Sequence, residues 1–379
     1  MKRCICIFLL LCLLLSACGT TQEAAPTETQ PVTTAATEPA TTSAPTETET
    51  EPVTEPATEE TEPPVEVPTV PVNPLTGEQL EAPYTGRPVA FSLNNISVCL
   101  PQYGLDALDW MFEVETEGGI TRCVGILTDP SKAGAIGPIR SCRTYFLNIS
   151  VSYNAPLFHC GGSFYADNNQ YSFTERVDAW DHVNEKAASG YFYRDSNRYH
   201  NLGYDWEHTL FTSGELMAAA MADRGYNTTT DTPVSYGYQF SDTVALDGQT
   251  ANTVTVPFRG GKKTIMEYDA ESGLYLAHQY GKDWVDGATG ENAAFRNILV
   301  ITSHQFNNLT EAGNHSFYEL FGTGNGYFAV DGKMVPVKWH HEALGQPFQF
   351  TLEDGTPITL GVGKTYCAVI DDTGVVTAQ

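Results

Sequence analysis

Residues 19–72 limit what this chain can fold into more than any other stretch of the sequence. The segment consists largely of Thr, Glu, Pro and Ala, and it holds 11 Glu but neither Lys nor Arg. Such a composition cannot bury enough apolar surface to offset the entropy lost when a chain becomes ordered. We therefore predict a disordered tether, extended at about 3 Å per residue and reaching on the order of 150 Å. Any folded core must come from the rest of the chain.

The N-terminus has the features of a secretory signal. Two basic residues precede an apolar run that ends at Leu15 and is too short to span a membrane as a helix. The following "LSAC" resembles the bacterial lipobox, in which the cysteine, here Cys18, becomes the lipidated first residue of the mature protein. We expect residues 1–18 to be a lipoprotein signal peptide. Acyl chains on Cys18 would then hold the protein on the extracytoplasmic face of the bacterial cell membrane. Ordinary secretory cleavage near Ala17 is the alternative.

The remaining residues, 73–379, are acidic, with 35 acidic and 18 basic side chains. This balance argues against nucleic acid or anionic lipid as the main partner of the folded part. Its length is sufficient for one or two domains with sizeable cores. The spacing of its cysteines fits no metal-binding pattern, so we predict no metal site and no cofactor. These cysteines are Cys99, Cys123, Cys142, Cys160 and Cys367.

Hydrophobic patterning divides the folded part into an N-terminal unit, residues 73–236, and a C-terminal unit, residues 242–379. In the first, "RPVAFSLNN" is typical of a buried strand, and "WMFEVETEGGITRCVGIL" of a β-hairpin with alternating faces. Glu113 and Glu115 share one face of this hairpin. If Gly118 and Gly119 form a two-residue turn, Glu115 lies opposite Arg122 and the two charges neutralise each other across the ladder.

Two segments of the N-terminal unit are predicted to be helical. "RSCRTYFLNISVSY" has apolar residues at helical spacing after a proline, and "TSGELMAAAMADRG" combines helix-forming residues with a start and a stop signal. In the second segment Thr212 and Glu215 have capping-box spacing, and Gly225 is positioned to end the helix.

The C-terminal unit reads as a series of short strands, among them "TVTVPF", "GLYLAHQY", "NILVITSHQF" and "KTYCAVI". Asp-Gly turns occur at Asp331-Gly332 and Asp354-Gly355, where antiparallel strands can reverse direction. We predict a mostly antiparallel, β-rich module.

Several motifs occur in an order that resembles the YerB-like bacterial lipoproteins, which pair an N-terminal and a C-terminal domain of unknown function. They are "NPLTGE", "RPVAFSLNN", "EVETEGGITR", "GPIRSCR", "HCGG", "YRDSNR", "HTLFTS", "GNGYFAVDGKMVPVKW" and "DGTPITLGVGKTY". The likeness extends over residues 73–372. It implies an α+β fold in which the N-terminal domain resembles a three-layer β-β-α sandwich. It also implies an envelope location and no established activity.

A local excess of arginine stands out in this acidic chain. Arg140 and Arg143 flank the predicted start of a helix, where a bound anion would offset the unfavourable placement of cations. We hypothesise an anion-binding groove built from Arg122, Arg140, Arg143, Arg194 and Arg198. Supporting roles are assigned to Glu113, Glu115, Asp195 and His208, the last as a hydrogen-bonding residue beside the N-terminus of the second helix. A purely structural alternative pairs these arginines with Glu113, Glu115, Glu117 and Asp195.

The leading functional interpretation is a non-enzymatic binding or scaffold protein of the bacterial envelope, with an anionic cell-wall polymer or an envelope protein as partner. The alternative is a glycopolymer phosphotransferase, because the order of "GGITR", an Arg-rich helix start and "GG" resembles the LytR-CpsA-Psr family. In that interpretation the arginines hold a lipid-linked pyrophosphate, and Glu113 or Asp195 assists a metal ion.

Three other motifs are given structural interpretations, and no catalytic residue is assigned. His159 and Cys160 are adjacent on a predicted strand and therefore point to opposite faces. "GTGNG" lacks the Lys-Ser/Thr of a phosphate loop and is predicted to be a turn. "DGATGE" has oxygen ligands but not the spacing of a calcium loop, and a hairpin turn is favoured.

Overall fold

The computed structural model describes residues 70–163, 179–181, 190–307 and 315–379. The predictions for the signal peptide, for Cys18 and for nearly all of the tether fall outside these residues. The described part belongs to one compact unit. None of the helices in the described ranges has the length and apolarity needed to cross a membrane.

Strands predominate over helices in the described residues. The helices are α1 (Thr144–Ser152), α2 (Ser196–His200) and α3 (Gly214–Asp223). The first twelve strands are β1 (Val89–Asn95), β2 (Trp110–Glu115), β3 (Thr121–Leu127), β4 (Ala135–Ile136), β5 (Leu157–His159), β6 (Ala179–Asp181), β7 (Tyr193–Arg194), β8 (Leu210–Ser213), β9 (Gln239–Ser241), β10 (Gln249–Thr250), β11 (Thr253–Pro257) and β12 (Lys263–Asp269). The later strands are β13 (Leu274–Gln279), β14 (Lys282–Asp283), β15 (Ala294–Phe295), β16 (Asn297–Ser303), β17 (Gln305–Asn307), β18 (Ser316–Tyr318), β19 (Gly322–Val330), β20 (Lys333–His341), β21 (Gln349–Thr351), β22 (Thr359–Gly361), β23 (Thr365–Asp371) and β24 (Thr377–Ala378).

The largest sheet joins the two segments that the sequence suggested as separate units. Its strands follow the order β10-β20-β19-β16-β23-β2-β3-β1-β5-β6, and β21 pairs with β20. Strand β23 lies parallel to β2 on one side and to β16 on the other. The predicted boundary near residue 240 therefore does not separate two sheets.

A second sheet is antiparallel throughout and has the order β14-β13-β12-β11-β24, with β15 paired to β13. The α+β prediction is thus confirmed in part, because the described residues form mixed sheets with few helices and are mostly β. The three-layer β-β-α arrangement stays a prediction.

The large sheet is buried on both faces, which explains the nearly continuous apolar runs in its central strands. Every residue of β1 is buried. On one face Phe91 packs with Met111 in a core cluster that also includes residues of the second sheet. On the other face Trp110 and Phe112 pack in a cluster that includes Phe146 of α1. The buried strand predicted for "RPVAFSLNN" is confirmed.

The β2–β3 hairpin forms as predicted, but its turn and register differ from the expectation. Five residues link the strands, and the register places Glu115 opposite Thr121, with Arg122 opposite Val114. The predicted cross-strand pair of Glu115 and Arg122 is therefore wrong. The longer link is stabilised by packing against a distant loop, because Gly119 contacts Gly260 so closely that a Cβ on Gly119 would lie 2.7 Å from the Gly260 Cα.

Both predicted helices are present, and the start of α3 differs by one residue from the prediction. Ser213, and not Thr212, caps α3 by accepting a hydrogen bond of 3.2 Å from the Leu216 amide. The Thr212 hydroxyl instead donates to the carbonyl oxygen of Tyr191. Gly225 ends the helix at a φ of 66°, as its position in the sequence indicates.

The turn between β19 and β20 follows directly from its sequence. Asp331 and Gly332 both adopt positive φ values, 50° and 69°, which a two-residue hairpin turn requires. The strands they connect pair along nine positions. The predicted Asp-Gly hairpin is confirmed here.

Candidate functional site: an arginine and aromatic surface

Arg143 lies immediately before α1 and is already matched to a carboxylate. Its guanidinium donates two hydrogen bonds to Glu117, of 2.9 and 2.6 Å, and a third of 2.7 Å to the Cys142 carbonyl oxygen. Burial alone would raise the pKa of Glu117, but the hydrogen bonds and charge of Arg143 lower it to about 2. For Arg143 the structural alternative, an internal pair with Glu117, is correct.

Arg122 projects from β3 beneath the segment that leads into α1. It is 6% exposed, and its Nη1 donates a hydrogen bond of 3.0 Å to the Ser141 carbonyl oxygen. Its buried Nε–H has no hydrogen-bond partner among the residues that the structure describes. Burial, together with the positive charges of Arg143 and Arg140, lowers the pKa of Arg122 to about 9. Arg122 therefore adds positive potential from inside the protein, while its own guanidinium is closed off from solvent.

Arg198 has a structural role. It is 2% exposed, donates to the carbonyl oxygens of Cys99 and Pro101, and lies 4.0 Å from the centroid of the Tyr204 ring. A guanidinium so enclosed by carbonyl groups and an aromatic face holds α2 against the loop after β1. The inclusion of Arg198 in an open anion groove is not supported by this position.

Arg140 and Arg194 are the members of the predicted set that reach the surface. Arg140 is paired with Glu207 at 2.6 Å, and both side chains are partly exposed. Arg194 donates a hydrogen bond of 2.7 Å to the Trp206 carbonyl oxygen and lies 4.6 Å above the indole ring. Burial lowers the pKa of Arg194, and the charge of nearby Arg140 lowers it further, since the two cations repel.

Large aromatic side chains adjoin these two arginines. Trp206 is 53% exposed, and the ring of Tyr199, itself 42% exposed, meets it edge-on at 5.3 Å. Aromatic rings left this open on a folded protein commonly mark a contact site. We call Arg140, Arg194, Tyr199 and Trp206 the arginine–aromatic surface.

His208 lies behind this surface and not beside α3, so its predicted position is wrong. Its ring is 2% exposed, and Nδ1 is 3.0 Å from the Asn94 side-chain amide of β1. Nε2 is 3.5 Å from Glu207. Burial lowers the pKa of His208, although Glu207 acts in the opposite direction.

The acidic residues given supporting roles are engaged elsewhere. Glu113 is fully buried and pairs with Lys262. Glu115 accepts the Arg259 amide, and burial raises its pKa. Asp195 caps α2 by accepting the amides of residues 197 and 198. In the described ranges no group of three His, Cys, Asp or Glu side chains is placed to hold a metal ion.

The remaining sequence motifs are structural. His159 is fully buried, with Nδ1 2.9 Å from the Gly161 carbonyl oxygen. The turn predicted for "GTGNG" is wrong, because residues 322–326 open strand β19 and pair with residues 337–341 of β20. In "DGATGE" the Asp286 carboxylate accepts amides of its own turn and those of Leu105 and Asp106, so its oxygens organise a loop.

Comparison with known proteins assigns the family. Residues 75–227 match the N-terminal domain of a protein family of unknown function (DUF3048), and residues 254–367 match its C-terminal domain. The chain belongs to the DUF3048 family. The resemblance seen in the ordered motifs is thereby confirmed.

Among the relatives of this DUF3048 chain is the Bacillus subtilis (strain 168) protein named "Putative lipoprotein YerB". It is 27% identical over 316 residues, which cover 79% of this chain and 88% of the relative. The crystal structure of Bacillus subtilis YerB matches with a TM-score of 0.68 and 22% identity, covering 81% of this chain and 99% of the other. The structural likeness shows a shared fold, and the relative's name describes a lipoprotein.

Sequence reasoning missed the aromatic half of the surface on this DUF3048 chain. Trp206 stands between Asp205 and Glu207 in "YDWEHT", a polar context in which a tryptophan has few routes to the core. This polar context is the feature of the sequence from which an exposed tryptophan could have been predicted. The contact between Trp206 and Arg194, twelve positions apart, has no local signature.

Proposed function

We propose that this protein is a lipid-anchored, extracytoplasmic binding protein of the bacterial envelope that holds an anionic sugar polymer on its arginine–aromatic surface. The observation that carries the proposal is the half-exposed Trp206 ring, stacked by Arg194 and flanked by Tyr199. The name of the Bacillus subtilis relative, a lipoprotein, and the lipobox-like "LSAC" support the lipid anchor.

The chemistry of the surface favours a ligand that combines rings with negative charge. The C–H faces of a sugar ring lie flat on an aromatic side chain, while guanidinium groups bind carboxylate or phosphate through paired N–H donors. Arg194 makes no ion pair in the part of the chain that the structure describes. The exposed pair of Arg140 and Glu207 is of the kind that contributes at most about 1 kcal/mol, so a polymer anion can replace Glu207 at low cost.

Local charge makes this surface distinct from the rest of an acidic protein. Arg122 lies close behind Arg140 and adds to the positive potential there, whereas the charge of Arg143 is balanced by Glu117. A polyanion approaching the chain is repelled by the acidic surface in general and attracted at this region. The five-arginine groove expected from the sequence is thereby narrowed to two surface arginines with two aromatic neighbours.

Binding of the purified full-length chain to three polymers tests the proposal. Polygalacturonate offers rings and charge, a neutral glucan offers rings alone, and poly(glycerol phosphate) offers charge alone. We expect polygalacturonate to bind best by calorimetry. Trp206→Ala and Arg194→Gln should each weaken that binding by roughly tenfold or more.

The matched control is Arg87→Gln. Arg87 also donates to a carbonyl oxygen and lies over an aromatic ring, that of Tyr226, but it contacts no member of the proposed surface. We expect this variant to bind as the unaltered chain does. Equal losses in all three variants, or equal binding of the neutral glucan, would show that the surface is not a specific site for anionic sugars.

A further inference from the structure

A separate cavity of about 320 Å³ lies on a different part of the molecule from the arginine–aromatic surface. Its lining comes from both family domains: it includes Thr76, Glu78, residues 106–109 and Lys132 of the N-terminal domain, and Asp286, Thr289 and Lys364 of the C-terminal domain. The volume is near the lower end of the range for small-molecule sites, which corresponds to a ligand of amino-acid or dipeptide size.

Lys364 is the unusual side chain of this cavity. It comes directly before β23 and is fixed by its own carbonyl oxygen, which accepts the amides of Arg296 and Asn297 at 2.9 and 3.2 Å. In the described ranges its ammonium donates to the carbonyl oxygens of Leu105 and Asp106, at 3.5 and 3.4 Å, and lies 5.9 Å from the centroid of the Phe295 ring. Within the described ranges it has no carboxylate at ion-pair distance. The ammonium is therefore weakly compensated and still has donor capacity for a further acceptor.

Burial lowers the pKa of Lys364, even though the neighbouring carboxylates Asp106, Asp286, Asp109 and Glu78 act to raise it. A lysine whose pKa is lower in the folded state than in the unfolded state destabilises the fold at every pH where it must carry its charge. That cost is complete below the lowered pKa, becomes smaller as the pH rises above it, and is gone above the ordinary pKa of a free lysine. A purely structural lysine would not be expected to carry such a cost without a paired acid.

The acidic groups of the cavity divide into occupied and available ones. Asp286 accepts backbone amides from two loops, and Asp109 accepts hydrogen bonds from Thr128 and Asn73. Among the described residues Asp106 accepts only the hydroxyl of Thr289, and Glu78 is an exposed acid of the same lining. The cavity thus presents a cation at Lys364 and an acid with spare acceptor capacity at Asp106. Of the neighbouring carboxylates, Asp106 has the largest effect on the pKa of Lys364.

We propose that this cavity is a binding site for a free α-amino acid, whose carboxylate pairs with Lys364 and whose ammonium pairs with Asp106. The assignment uses charge complementarity: both signs of charge line the same small space, the cations being Lys364 and the exposed Lys132, and Asp106 is a carboxylate there with spare acceptor capacity. A simple anion would be repelled by the surrounding carboxylates, and a simple cation by Lys364. A zwitterion satisfies both groups at once.

The test is a titration of the purified full-length chain with alanine in both enantiomers, alanylalanine, propionate and ethylamine, followed by calorimetry and thermal unfolding. We expect an alanine enantiomer to bind, and propionate and ethylamine, which each lack one charge, to bind at least about tenfold more weakly. Stronger binding of alanylalanine would identify a peptide end as the natural form of the ligand and would overturn the assignment to a free amino acid.

Lys364→Met separates a binding role from a structural one. We expect it to abolish alanine binding while leaving the thermal midpoint unchanged or raised, since a poorly compensated charge is removed. Asp106→Asn should weaken alanine but not propionate. Lys333→Met, at an exposed site in β20, is the control that should change neither property.

Two results would overturn the proposal. One is the absence of saturable binding of any of these probes at millimolar concentrations. The other is a Lys364→Met chain that unfolds at a clearly lower temperature and binds alanine as before, because the lysine would then be structural. Neither result bears on polymer binding at Trp206, so failure here is distinguishable from failure of the proposed function.

Discussion

At the start of α1, Arg143 holds a cation where the positive end of the helix dipole disfavours one. Glu117 resolves this conflict with a bidentate hydrogen-bonded pair, so no external anion is needed there. Arg122 has no carboxylate partner in the described part of the chain and is buried inside the protein, where it makes the neighbouring surface more positive. Arginines that are close in sequence thus have different roles, depending on whether a carboxylate lies within ion-pair distance of each one.

The pair of Glu117 and Arg143 predicts a specific loss of stability in acid. The pKa of Glu117 is about 2 in the folded chain, against 4.5 for the ordinary carboxyl. A lowered carboxyl pKa contributes stability that is complete above about pH 4.5 and is lost as the pH falls toward 2. The difference corresponds to about 3 kcal/mol. Urea unfolding of the unaltered chain and Glu117→Gln, measured from pH 7 to pH 2, should show the two free energies converging in acid.

Glu207→Gln provides the comparison, because it removes the partner of Arg140 at an exposed site. There the expected change at pH 7 is at most about 1 kcal/mol. A loss for Glu207→Gln as large as that for Glu117→Gln would contradict the distinction between a largely buried pair and an exposed one.

At the scale of elements, α3 begins with a cap one residue later than its sequence suggests. Ser213→Ala should lower the free energy of unfolding by about 1 kcal/mol, because the Leu216 amide loses its acceptor at the helix start. Ser213→Asp keeps an acceptor and should restore most of this loss. Denaturant unfolding of the three chains measures the effect, and an unaltered midpoint in Ser213→Ala would mean that the cap is not used.

The β2–β3 link shows why element boundaries were less predictable than the elements themselves. Alternating side chains identified both strands, since the period of two is a local property of the sequence. The turn depended on Gly119 packing against Gly260, which lies far along the chain. A local pattern carries no information about that neighbour, so the register was misjudged and Glu115 was given the wrong partner.

At the scale of the whole molecule, a buried polar cluster connects the two family domains. Glu113 of β2 pairs with Lys262 and accepts hydroxyl hydrogen bonds from Thr264 and Tyr366, both of 2.7 Å. Thr264 lies in β12, an interior strand of the second sheet, Lys262 directly precedes that strand, and Tyr366 lies in β23 of the C-terminal family domain. The cluster and the shared large sheet together make the domains depend on each other.

Lys262→Met should therefore destabilise the entire described fold. It leaves the carboxylate of Glu113 buried without its cation, which typically costs about 3 to 5 kcal/mol. Hydrogen exchange should report equal loss of protection in β2 and β12. Lys263→Met, at the exposed neighbouring position, should have almost no effect. Loss of protection in β12 alone would show that the domains unfold independently.

The sequence by itself determined the buried strand β1, both strands of the β2–β3 hairpin, α1 and the Asp331-Gly332 turn, because periodicity and backbone preference act over a few neighbouring residues. Its ordered motifs also determined the family. Only the tertiary structure decided which arginines reach solvent, since Arg143 meets Glu117 across 26 positions and Arg140 meets Glu207 across 67. Burial and ion pairing depend on such distant contacts. For this reason the candidate site contains two of the five predicted arginines, together with Trp206.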